Sequence, residues 1–247
     1  MTEENEEKRN SPGRAMPLTG HLQELRTRIF RSLVCVSVFF VISFAASDWI
    51  YRFLVFPLSG IEDMSFTVFT WVEGVAVKLR IALCTALFFS IPFLIYQAFL
   101  FVAPGLTPSE RSLAVRGLLI SSVLFLTGVA VFYLLILPPL VPGLRSFVFD
   151  NVREMYNLQE NLDFILKMLL RFGIAFQQPV VLYILIRLRL LSVETLESNR
   201  RYVIVILLAA AAFLTPQEVL SQLAMTVPLY LMFEITLLTC RWGGKSP

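Results

Sequence analysis

The chain has 247 residues, of which 57% are hydrophobic and 16% charged, with a mean hydropathy of +0.73 and a net charge of +3. That balance excludes a soluble globular domain, and the small net charge predicts no nucleic-acid partner. At about 20 apolar residues per bilayer crossing, the length accommodates about five to eight helical spans and no large extramembrane domain. Cys35, Cys84 and Cys240 lie far apart and His21 is the only histidine, so neither a metal site nor a disulfide framework is expected.

Residues 1–17 read as a polar cytoplasmic tail, and no small-residue cleavage pattern marks the first apolar run for removal. Leu18, Leu22, Leu25 and Ile29 then repeat at helical spacing, predicting an amphipathic helix that leads into the first span, with Glu24 and Arg28 on flanking positions. The uncharged stretch between Arg31 and Asp48, closed by Trp49 and Tyr51, places span one at about 30–49. Charges at Arg80 and Glu110 fence span two at about 81–102, with Pro92 inside it and Pro104-Gly105 ending it.

Span three is expected at about 117–137, and span four at about 167–187 with its basic ends snorkelling outward. The last two, at about 202–214 and 217–240, are expected to be short: the apolar parts Tyr202 to Leu214 and Val219 to Phe233 cover only about 20 Å and 22 Å. Local bilayer thinning is the expected consequence. Residues 18–241 thus form one six-span, all-α polytopic membrane domain, followed by a tail at 242–247.

Orientation follows from the basic residues. Fourteen Lys and Arg fall on the side of the two termini and seven on the other, so both termini are expected in the cytoplasm.

Four groups of polar residues invite a function, and each has a structural alternative. Thr107-Pro108-Ser109-Glu110 spells a helix-capping box, and Thr215-Pro216-Gln217-Glu218 repeats it, so either Glu has a structural reason to be there. Gln177 and Gln178 fall near mid-membrane before Pro179, where an amide needs a partner; helix-to-helix bonding and a binding role both satisfy that need. Glu234 is a carboxylate inside an apolar run and should face protein or a cavity. A nucleotide loop ending in Gly-Lys-Ser/Thr, a Gly-x-Ser-x-Gly elbow and a His-Glu-x-x-His motif are all missing, so no catalytic residues, no cofactor and no enzymatic activity are expected.

One combination is far more specific than these. His21-Leu22-Gln23-Glu24-Leu25-Arg26, then Pro92 with Tyr96-Gln97, then Phe101-Val102-Ala103-Pro104-Gly105-Leu106 followed by Glu110, closely resemble the TatC family of twin-arginine translocation receptors. Phe125, Gly128, Phe132, Tyr133 and Pro138, the Phe172-Gly173-Ile174-Ala175-Phe176 run, and Leu214-Thr215-Pro216 with Pro228 and Glu234 continue the match to about Arg241.

The resemblance implies a glove-shaped, six-span receptor in the bacterial plasma (inner) membrane that binds the paired arginines of signal peptides and exports folded cargo on the proton-motive force. It implies that Glu24 and Glu110 hold the arginines, supported by His21 and Arg26. It also implies that Gln177, Thr215, Gln222 and Glu218 match positions linked to intramembrane docking of TatA- and TatB-type single-span subunits or of the signal. A homo-oligomeric receptor complex is implied as well. The position of Gln177 is often Glu in that family, and Gln keeps hydrogen bonding without charge. A second functional class, a secondary transporter with a midplane site at Gln177, Gln178 and Glu234, would be favoured by inverted repeats, which the sequence does not show.

Overall fold

The computed structural model describes residues 18–61, 66–102, 108–149, 154–187, 190–215 and 219–243; the side chains at 18–21, 102, 108–116 and 242–243 lie outside the described set. Among these described residues, ten α-helices follow in order: α1 (Leu18–Ala45), α2 (Ser47–Val55), α3 (Glu73–Val102), α4 (Pro108–Val131), α5 (Leu137–Arg145), α6 (Leu158–Ala175), α7 (Gln178–Arg187), α8 (Val193–Ser198), α9 (Arg200–Leu214) and α10 (Val219–Gly243). Among the described residues, the only strands are β1 (Phe66–Thr67) and β2 (Tyr156–Asn157), paired in parallel with Phe66 opposite Tyr156.

Among the described residues, five stretches are long and apolar enough to cross a bilayer: Leu22–Ala45, Glu73–Phe101, Gly117–Arg145, Leu158–Arg187 and Val219–Arg241. With 15 residues, α9 spans about 22 Å and falls short of the hydrocarbon thickness. The charge-free part of α10 ends at Phe233, yet the helix carries Glu234 on to Gly243 because Arg200 at the start of α9 pairs with that carboxylate at 3.2 Å.

Helix limits outrun the apolar stretches wherever a charge finds a partner inside the protein. Helix α6 begins at Leu158, well before Lys167, because Asp163 pairs with both Lys167 and Arg80 of α3. Prolines likewise interrupt less than their number suggests. Pro138 and Pro139 remove two backbone donors, and the chain responds with a π turn over Phe132–Ile136 in which the Leu137 N–H reaches back to the Phe132 carbonyl. Helix α5 then proceeds with those prolines in its first turn, where no donor is needed, and continues to Arg145.

The core is aromatic and lies where α4 crosses α6. Phe125, Phe132, Phe172, Phe176 and Phe233 are fully buried, and the rings of Phe132 and Phe172 meet at 4.9 Å. Two glycines permit that approach: a Cβ on Gly128 would stand 2.7 Å from the Phe172 carbonyl oxygen, and one on Gly173 would collide with the Phe125 ring. Helix α1, by contrast, is mostly peripheral. It leans on α3 through Phe39 stacked on Phe89 at 6.1 Å, while Phe30, Leu33, Val34, Val38 and Val41 face outward as a lipid-facing stripe.

At the end remote from the termini, one buried carboxylate ties the loops together. Glu73 accepts the N–H groups of Phe69 at 2.8 Å, Thr70 at 3.3 Å and, from the start of α6, Gln159 at 3.2 Å. Next to it, Asn157 caps α6 by accepting the Glu160 N–H at 2.8 Å.

Candidate functional site

Glu24 sits on α1 one turn before Arg28, and the two side chains meet: Arg28 Nε donates to Glu24 Oε1 at 3.0 Å, with Nη2 on the same oxygen. Both are mostly shielded, with side-chain exposures of 22% and 15%. The third arm of that guanidinium, Nη1, donates to Oε1 of Gln97 on α3 at 3.3 Å, and Gln97 is buried. Spacing on one helix explains the first contact, because positions four apart share a face. The second needs α3 to return to the terminal end of the bundle.

Gln23, Glu24, Thr27, Arg28 and Arg31 line an open recess of about 280 Å³ at this end. Arg26 lies on the same helix and is exposed. His21 belongs to the first turn of α1, and Glu110 to the first turn of α4, but both side chains lie outside the described residues, as do Thr107 and all of Pro216, Gln217 and Glu218. The recess therefore shows one of the two expected carboxylates. Arg28 and Gln97 are the participants that sequence reasoning missed; their spacing of 69 residues carries no periodic signal.

The mid-membrane amides are engaged internally. Gln177 lies in the turn that separates α6 from α7 and faces Ser121 of α4: its Nε2 donates to the Ser121 carbonyl at 3.0 Å, and the Ser121 hydroxyl donates to its Oε1. Of the two readings left open for Gln177, this geometry supports helix-to-helix bonding. Its neighbour Gln178 keeps Oε1 buried without a hydrogen-bond partner.

Thr215 is buried and donates to the Ala211 carbonyl at 2.9 Å, and Gln222 donates from α10 to the Leu208 carbonyl of α9 at 3.0 Å. The first closes the C-terminal end of α9 on itself, and the second ties α9 to α10. Glu234 accepts from the Tyr230 hydroxyl at 2.8 Å besides pairing with Arg200. Gln177 and Glu234 thus have separate partners. Among the described residues, no three His, Cys, Asp or Glu side chains gather as a metal site would require.

Removing the Gln177 amide should loosen the α4–α6 crossing. Gln177→Leu leaves the Ser121 hydroxyl without its acceptor at membrane depth, and a loss of about 1–2 kcal/mol in thermal unfolding is expected. A Ser121→Ala, Gln177→Leu double variant should recover part of that loss. If the single variant melts unchanged, the amide is not helix glue.

Comparison with known proteins agrees with this architecture. The family profile described as Sec-independent protein translocase protein (TatC) matches residues 20–228. A Sec-independent protein translocase protein TatC from Desulforapulum autotrophicum is 34% identical over 232 residues, covering 93% of this chain and 86% of the relative. The protein of the same description from Azotobacter chroococcum mcd 1 is 34% identical over 224 residues, covering 89% and 87%. A crystal structure of the twin-arginine translocase receptor TatC in DDM superposes with a TM-score of 0.77 at 29% identity, over 89% of this chain and 98% of that one. The chain therefore belongs to the TatC family and is a polytopic protein-transport subunit of the Tat translocase.

Proposed function

We propose that this subunit is the translocase's signal-peptide receptor, taking the paired arginines of folded cargo's signal peptide on its cytoplasmic face through Glu24 and Glu110. His21 and Arg26 border the same surface, and the energy for export comes from the proton-motive force, since the chain has no nucleotide-binding loop. The site lies in the bacterial plasma membrane with both termini cytoplasmic, as the fourteen basic residues on that side favour. TatA- and TatB-type helices or the signal dock through Gln222 and Glu218, while the expected contacts of Thr215, which is buried, and Gln177, which bonds Ser121, are indirect and act by holding that region in shape, in a complex with more than one copy of this chain.

One observation carries the reading: Glu24 already grips a guanidinium, that of Arg28, beside an open recess. A carboxylate mostly shielded from water discriminates by shape. The planar fork of arginine offers several donors in fixed directions, whereas lysine offers a compact charge. A partly desolvated, charge-assisted contact is worth about 1.5–3 kcal/mol, so two of them separate Arg-Arg from Lys-Lys by orders of magnitude. An arriving arginine takes over or shares the oxygen that Arg28 holds at rest.

The test is binding of a synthetic twin-arginine signal peptide to the full chain in liposomes. Glu24→Gln should weaken binding about tenfold or more and reduce the preference over the Lys-Lys peptide, which the double variant with Glu110→Gln should abolish. Glu110→Gln should act the same way. Equal binding of both peptides by the unaltered chain would remove the proposal.

A further inference from the structure

The recess beside α1 holds a resident guanidinium with the same chemistry as the arginines proposed to enter it. Arg28 Nε and Nη2 both donate to Oε1 of Glu24, and Nη1 donates to Oε1 of Gln97 on α3 at 3.3 Å. A carboxylate oxygen offers about two acceptor sites, so these two N–H groups fill Oε1. An arginine that pairs fork to fork needs both oxygens of a carboxylate. It seats on Glu24 only after Arg28 lets go, so the geometry favours displacement over sharing.

An exposed ion pair four residues apart on a helix scarcely resists displacement. This pair differs in two respects. Both side chains are mostly shielded, so water competes poorly for either of them. In addition, the third arm of the guanidinium is fastened to a buried amide 69 positions away on another helix, which holds Arg28 in the orientation that faces Glu24. Gln23, Thr27 and Arg31 continue the lining of the recess along α1, so a ligand arrives directly beside the closed pair.

We infer that Arg28 is an internal competitor for Glu24, a latch that sets the affinity threshold of the recess. The latch presupposes the receptor reading of Glu24 and adds a regulation to it. Only molecules with Arg28 displaced are competent to bind, and the apparent Kd of a ligand is its intrinsic Kd divided by the competent fraction. A latch closed in about nine molecules of ten therefore raises every Kd about tenfold. Arg-Arg and Lys-Lys peptides wait on the same opening, so the latch leaves the ratio of their affinities unchanged. What it changes is absolute affinity: weak, singly charged ligands drop out of the working range, while a ligand held at two carboxylates still binds. Gln97 is a positioning residue for the closed latch and not a ligand contact.

The test measures binding of the Arg-Arg and Lys-Lys peptides to the full chain in liposomes. Arg28→Gln should tighten both about tenfold. Two variants keep every charge in place: Arg28→Lys loses the planar fork, and Gln97→Leu loses the anchor. Each should tighten both peptides by a smaller factor and leave the ratio between them as it is in the unaltered chain. Tightening by neither charge-preserving variant overturns the latch, even where Arg28→Gln binds better, because lost charge repulsion explains that gain. Tightening confined to the Lys-Lys peptide overturns it as well. The receptor reading is judged separately, on the unaltered chain. If that chain binds the two peptides equally while the charge-preserving variants tighten both, the selectivity fails and the latch stands; if it prefers Arg-Arg and neither variant tightens binding, the reading stands and the latch fails. Recovery of each variant as a single species in detergent checks that it folds.

Discussion

Gly128→Ala is expected to cost the protein about 3 kcal/mol or more, enough to prevent its recovery as a folded species in detergent. The added methyl group would meet the Phe172 carbonyl oxygen at 2.7 Å and the Phe176 ring and Cβ at 2.7 and 2.8 Å. None of these can step aside, because the first is helical backbone and the second belongs to a fully buried side chain. Gly173→Ala should be nearly as damaging, since its methyl would press on the buried ring of Phe125. Gly74→Ala and Gly117→Ala are the controls: nothing stands within 4 Å of a Cβ at either position. Thermal unfolding followed by gel-filtration recovery reads the difference, and equal recovery of all four variants would show that α4 and α6 do not meet on these glycines.

The second large effect is at Glu73. Its two oxygens accept from three backbone donors in two loops that are otherwise joined by the two-residue pairing of β1 and β2. Glu73→Gln turns half of that acceptor into a donor facing N–H groups, so both loops lose their tie at once. Amide exchange at Phe69, Thr70 and Gln159 should quicken about tenfold or more, while amides near Gln97, at the other end of α3, remain protected. Unchanged exchange at those three amides would mean that the strand pairing alone closes this end.

The helical architecture was legible because hydropathy and aromatic fences report directly on the bilayer. The glutamines before Pro179 coincide with the turn between α6 and α7, and Trp49 and Tyr51 fall inside α2 just after the break at Ala46, whereas Pro104-Gly105 lies outside the described residues. What stayed hidden were pairings over long separations. Lys167 reads as a boundary when taken alone, but Asp163 and Arg80 neutralise its surroundings and let α6 begin about two and a half turns earlier. Glu234 is similar, because its partner Arg200 begins another helix.

At the recess, the position of Glu24 follows from the spacing of Leu18, Leu22, Leu25 and Ile29. The involvement of Gln97 does not, since nothing local to α3 distinguishes that amide from one that faces lipid. The two glycines illustrate the opposite case. The motif around Gly173 suggested a family before it suggested a reason, and the reason is the ring of Phe125, 48 positions away.

The widened turn at Phe132–Ile136 also constrains how this stretch can change. A π turn absorbs one residue beyond the ordinary helical count and so resets the angular phase of everything after it. That phase puts Leu137 and Leu140 inside and aims Arg145 at Glu154, 2.8 Å away, with its guanidinium over the ring of Tyr156. Deleting one residue here, with the turn relaxing to uniform winding, would leave the rest of the rod close to its present facing, whereas adding one would swing it by about a quarter turn. Chain length through this segment is thus tolerant of a loss and intolerant of a gain.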